Sequence, residues 1–187
     1  RLRTNYGLNN EAILEDYLFE LPADSLNLLQ TEKVIIVGTQ ETKGAGFKYL
    51  LEHMSSHRCG VKLNALLTQL ADRAVQQKDQ KAVDEYLQLI GKVSRTDWEA
   101  ELKRGEFQAR FFLETGNKDA FIQLTDRFVS ETLLPNINKE TLSVDSVRYS
   151  AYRQALEGIG WQYAHYIKNK EALKVAFNWL EQLNQLQ

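Results

Sequence analysis

The stretch Gly158–Leu183, GIGWQYAHYIKNKEALKVAFNWLEQL, decides the fold. Apolar residues recur at steps of three and four on both sides of a polar turn near Lys168 and Asn169, the spacing of two amphipathic helices. So short a turn sends the second helix back along the first. Small residues, Ala164 in the first helix and Ala176 in the second, are expected where the backbones cross closely, with Trp179, Leu180 and Leu183 continuing the packing. Such a hairpin cannot bury its apolar surface alone and calls for neighbours of its own kind.

Working outward, the same periodicity fills most of the chain. Asn9-Asn10 can cap a first helix carrying Ile13, Leu14, Tyr17, Leu18 and Leu21. Pro22-Ala23-Asp24 breaks and recaps, with Leu26, Leu29 and Val34 following, and a short third helix runs from about Phe47 to Met54. Gly60 is expected to separate it from a fourth, striped by Leu63, Leu66, Leu67, Leu70 and Ala74. Lys78-Asp79 makes a turn into a fifth, with Val83, Tyr86, Leu87, Ile90 and Val93. Thr96 or Asp97 caps a sixth, which stops at Gly116-Asn117. The seventh, with Phe121, Leu124, Phe128 and Val129, ends before Pro135, and a polar loop spans Asn136 to Val144. The long helix through Tyr152, Leu156, Ile159 and Tyr163 then leads into the closing hairpin. The expectation is an all-α chain of about nine helices, antiparallel hairpins stacked as an α-solenoid with a right-handed superhelix. It forms one helical domain over 1–187, with N-terminal helices in 1–58, middle hairpins in 60–134 and the closing hairpin in 144–187.

Composition narrows the function classes. An apolar fraction of 43% and a charged fraction of 26% suit a folded globular chain. A net charge of −2 gives no field that favours nucleic acid or an anionic membrane. The longest clean apolar run, Val34 to Val37, is far too short to span a bilayer. One cysteine, Cys59, excludes an internal disulfide or CxxC pair and leaves the compartment open. The opening Arg1-Leu2-Arg3 reads as an excised piece or a mature form.

Two segments suggest chemistry. Lys33-Val-Ile-Ile-Val-Gly-Thr resembles a buried strand, and the Gly38–Gly46 loop after it is glycine-rich and opens a helix, a layout that could cradle a phosphate. No Lys-Ser/Thr follows the last glycine, the spacing is not GxGxxG and no second strand is available. A helix ending at Gly38 followed by a surface loop is the preferred reading. The second segment holds His53, His57 and Cys59: two imidazoles four residues apart, a spacing expected to put them on one helix face, and a thiol that could close a site for a soft metal such as zinc. A second ligand pair is missing, so histidines flanking a helix end are the simpler expectation. No orienting carboxylate makes Cys59 a nucleophile. Glu99, Glu101, Glu106 and Glu114 alternate with Lys103, Arg104 and Arg110 as on a solvated helix face. No enzyme site is expected, and no cofactor.

Tyr149, Tyr152, Trp161, Tyr163 and Tyr166 fall on more than one face of a single helix. Core packing on both sides is the main expectation, with Trp161 the first candidate for an exposed concave surface.

The pair over Gly158 to Leu186 resembles a tetratricopeptide-type hairpin, through Ala164, Ala176, Leu180 and Leu183. Gly105 to Val129 resembles it through Ala109, Phe112 and Gly116, although Arg127 falls where a small apolar residue is expected. A broader resemblance rests on Tyr17-Leu18, Leu21 to Leu26, Phe47 to His53, Gly160 to Ala164, Lys170 to Leu173 and Phe177 to Trp179. These are similar to the helical extension that follows the thioredoxin domain in some bacterial thioredoxin-family proteins. The resemblance implies an upstream oxidoreductase domain, an extracytoplasmic, periplasmic setting and a non-catalytic scaffold that binds a protein partner or its own thioredoxin domain. Stacking of the tetratricopeptide kind would place Lys103, Arg110, Trp161, His165 and Lys168 along a groove suited to an acidic or carboxylate-ended peptide. The alternative is a small-ligand, nucleotide or metal-binding protein using the Gly38–Gly46 loop or the His53/His57/Cys59 cluster.

Overall fold

The computed structural model describes residues 10–22, Ser25 and 29–185. Among these the chain is all-helical, with no strand. Eleven helical segments follow one another: α1 (Asn10–Glu20), α2 (Leu29–Gly38), α3 (Gly44–Glu52), α4 (His57–Gln77), α5 (Gln80–Val93), α6 (Asp97–Glu114), α7 (Lys118–Phe128), α8 (Leu134–Asn136), α9 (Lys139–Val144), α10 (Ser146–Tyr166) and α11 (Lys170–Gln185). Counting α8 with α7, and setting the six-residue α9 aside, leaves the nine expected from periodicity. Among the described residues no helix is long and apolar enough to cross a membrane. The caps expected at Asn9, Ala23 and Asp24, and the apolar position Leu26, lie outside the described residues.

The chain divides into two compact units, residues 1–93 and 94–187, a boundary that falls inside the middle segment 60–134. In the first, α1, α2 and α3 pack on one another, α3 lies against α4, and α4 pairs with α5. Leu14, Ile35, Leu50 and Cys59 are fully buried there. Lys78 joins α4 to α5 in the left-handed conformation at φ 52°, and its neighbour Asp79 accepts hydrogen bonds from the N–H groups of Lys81 and Ala82. Gly60 does not separate helices, as periodicity suggested. It lies in the first turn of α4, its N–H bonded to Ser56 O at 2.9 Å.

In the second unit, α6 pairs with α7, α10 pairs with α11, and α6 packs on α10. Thr96 caps α6, its hydroxyl accepting from Glu99 N–H at 3.3 Å. Gly116, at φ 83°, turns the chain into α7, capped by Asn117. Here the helix does not end before Pro135. A π-turn over Val129–Leu133 carries it on into α8, which includes Pro135. Proline cannot donate to the regular ladder, and a wider turn absorbs the disruption. The extra residue also brings Val129, Thr132 and Leu133 inward together. The expected polar loop 136–144 contains α9, started by Asn138, whose side chain accepts from Thr141 N–H at 2.8 Å.

Tyr152, Leu156, Ile159 and Tyr163 of α10 are buried, as are Ala172, Ala176, Trp179 and Leu183 of α11. Tyr163 is fixed from two sides. Its hydroxyl shares a 2.7 Å hydrogen bond with Thr125, and its ring meets Trp179 edge-on at 5.4 Å. Burial raises its pKa. Ala164, expected at the close crossing, is exposed. The crossing falls one turn earlier, at buried Gly160, where an added Cβ would approach Leu180 Cδ1 at 3.0 Å.

Candidate functional site

The candidate site is a cleft on the second unit where α6 and α10 lie side by side. It has a volume of about 480 Å³ and is lined by Arg110, Leu113 and Glu114 from α6 and by Gly158, Trp161, Gln162 and Tyr166 from α10. Arg110 follows buried Ala109, and Trp161 follows buried Gly160. Each therefore leaves the packed face of its helix at the same phase and turns toward the groove between them. Tyr149, Tyr152 and Tyr163 are core residues, whereas Trp161 is 55% exposed and Tyr166 is 47% exposed. Aromatic residues of this one helix thus divide between packing and surface.

Its charges are largely balanced. Arg110 Nε donates to Glu114 Oε1 at 2.7 Å, so the guanidinium enters the cleft beside its own counter-ion. Lys103 donates to Glu99 at 2.6 Å and is not among the lining residues. Lys168 is exposed in the turn between α10 and α11, also outside the lining. His165 stands behind Trp161, with the rings stacked at 3.9 Å and its Nδ1 2.9 Å from Trp161 O. Of the five residues expected from spacing, two line the cleft and a third braces one of them. Leu113, Glu114, Gly158, Gln162 and Tyr166 complete it. Leu113 and Glu114 stand three and four positions after Arg110, the neighbours a helix places on one face.

The other candidates are arranged differently. His53 terminates α3 and His57 begins α4, so the two imidazoles do not share a helix face. Cys59 is buried, its thiol 3.7 Å from Glu32 Oε1, and burial raises its pKa. No group of three potential metal ligands occurs among the described residues. Lys33 to Gly38 is helical, and a loop of residues 39–43 follows. That loop already faces carboxylates. Glu11 accepts from Gln40 N–H at 3.2 Å, Thr42 donates to Glu85, and an added Cβ on Gly44 would meet Glu11 and Glu15 oxygens. Burial, with the charges of Glu41 and Glu15, raises the Glu11 pKa despite that hydrogen bond. A phosphate would meet this negative field where a P-loop offers free N–H groups.

Protein-family models, curated proteins and solved structures give no match to the chain.

Proposed function

We propose that the chain is a non-catalytic helical scaffold that holds a peptide segment of a partner protein in the cleft between α6 and α10. One observation carries the proposal: Arg110 and Trp161 converge on one concave, mainly apolar surface with Leu113 and Tyr166. A large exposed aromatic beside an arginine is the usual composition of an energetically dominant binding spot. The Arg110–Glu114 pair would orient a partner's polar groups, and the aromatic and aliphatic walls would supply desolvation.

Tetratricopeptide-like stacking is part of the proposal. Leu156, Ile159, Gly160 and Tyr163 followed by Ala172 and Ala176 keep the spacing of that repeat, with Leu156 and Ala176 in place of its large aromatics. This register supports the earlier resemblance with Gly160, not Ala164, as the small residue. The thioredoxin-family resemblance supports a thioredoxin-like domain as one partner, in an extracytoplasmic setting.

Trp161 itself supplies the test. Its emission should change on titration with short acidic peptides ending in a free carboxylate, and amidated versions should bind less tightly. Arg110→Ala, followed by the same emission, and Trp161→Ala, followed by isothermal titration calorimetry against the same peptides, should each weaken binding about tenfold or more, as hot-spot truncations do. Trp161 is exposed and Arg110 is half-buried in a surface ion pair of small worth, so unfolding midpoints should hardly move. Unchanged affinity in both variants would refute the cleft as the binding site.

A further inference from the structure

Two helices carry apolar faces outside the cleft, and their residue patterns are complementary. On α11 the packed face holds Ala172, Ala176, Trp179 and Leu183. The opposite face presents Lys170, Leu173, Lys174 and Phe177, which with Asn178 line a shallow depression of about 380 Å³. Phe177 is 61% exposed. On α1, Leu14 faces inward, and one exposed stripe reads Ile13, Asp16, Tyr17 and Glu20, with Phe19, 92% exposed, outside it. Ile13 is 43% exposed and Tyr17 is 36% exposed. The sequence of α1, NEAILEDYLFE, contains no basic residue.

Both stripes follow the same spacing of one position, then three, four and seven further on. Laid antiparallel, they set Ile13 opposite Phe177, Asp16 opposite Lys174, Tyr17 opposite Leu173, and Glu20 opposite Lys170. Within these two stripes each apolar residue then meets an apolar one, and each carboxylate meets an ammonium group. In a parallel arrangement Ile13 would oppose Lys170 and Glu20 would oppose Phe177, so the pattern also selects a direction. Lys174 has a competing partner in Glu171 at 3.0 Å, but that pair is widely exposed and contributes little.

We infer that α1 of one copy of this chain docks antiparallel on the outer face of α11 of a second copy. The two surfaces differ, so the contact is heterologous. Repeated, it yields a ring if the rotation closes and a filament if it does not. One helix against one helix covers less than a standard interface of about 1,600 Å², which places the contact among the weak, transient ones.

Sedimentation velocity on the whole chain tests this. The weight-average mass of the wild type should rise between roughly 10 μM and 1 mM. Asp16→Lys/Glu20→Lys sets like charges across the contact, and so does Lys170→Glu/Lys174→Glu. Either double variant alone should therefore remain monomeric, and an equimolar mixture of the two should associate again. Phe177→Ala should weaken wild-type association about tenfold, and salt near 0.5 M should weaken it through screening. A wild type that stays monomeric overturns the inference, and so does association of either double variant alone. Wild-type-like association of Phe177→Ala also overturns it. None of these substitutions touches the cleft, so the Trp161 titration is an independent measurement.

Discussion

Alanine at Gly105 should destabilise the second unit even though alanine is the better helix former. An added Cβ would lie 2.5 Å from Cε1 and Cε2 of Phe128, and closer still to Cζ. Phe128 is only 8% exposed and belongs to the core with Leu102, Ala109 and Phe121, so its ring has nowhere to retreat without displacing them. The helix-propensity gain for glycine to alanine is about 1 kcal/mol. Overpacking a well-filled core costs about 1–3 kcal/mol, and pushing an aromatic ring outward forfeits part of the roughly 2 kcal/mol that its burial contributes. The net expectation is a loss of about 1–2 kcal/mol. Urea unfolding followed by far-ultraviolet circular dichroism would measure it. Gly158→Ala is the matched control, because nothing lies within 4 Å of a Cβ there, and it should stabilise by about 0.5–1 kcal/mol. Phe128→Leu should relieve the clash, giving a non-additive double variant with a coupling of about 1 kcal/mol. A Gly105→Ala protein as stable as the wild type, or strict additivity with Phe128→Leu, would refute this account of the α6–α7 contact.

Three further outcomes can be measured in the same way. Tyr163→Phe removes the hydroxyl shared with Thr125, which keeps its bond to Phe121 O at 2.7 Å, so the loss should be about 1 kcal/mol. Thr96→Ala deletes the α6 cap and should cost about 1 kcal/mol, with helix content at the start of α6 reduced. Burial acts to raise the Glu99 pKa, but hydrogen bonds from Lys103 and the Arg95 N–H overcome it and hold the group below its ordinary value. A carboxylate lowered in the folded state adds stability above its unfolded pKa of about 4.3, and that stability disappears as pH falls through the folded value. The stability gap between the wild type and Glu99→Gln should therefore close on acidification; a gap that widens would contradict the sign.

How legible each element was follows from what sets it. The α4–α5, α6–α7 and α10–α11 hairpins show plainly in the sequence, because a one-sided apolar stripe and a short turn are properties of the local chain. Gly160 and Ala164 were harder to separate. They lie one turn apart on the same face, and only the point where α11 crosses decides which is covered. The π-turn was hidden because it shifts helical phase by a single residue, which periodicity alone reads as an ending before Pro135. Helix α9 did leave a signal, Asn138 three residues before Thr141, but six residues are too few to show a stripe. In the cleft, Arg110 and Trp161 were reachable from spacing. Tyr166 belongs to an aromatic set whose main expectation is core packing, and Leu113 carries no signal of its own in the sequence; both come to the cleft through the placement of α6 beside α10. His53 and His57 share a face only on one continuous helix, and the turn between α3 and α4 sets them at the ends of two different helices.

The division of the chain at Val93 also separates its chromophores. All three tryptophans, Trp98, Trp161 and Trp179, lie in the second unit, and the first has none. Tryptophan emission is therefore a private clock for residues 94–187, whereas circular dichroism sums the helices of both units. Unfolding curves that coincide by the two methods would mean that the halves melt as one cooperative body. Curves that separate would time each half without a label, a truncation or a mutation.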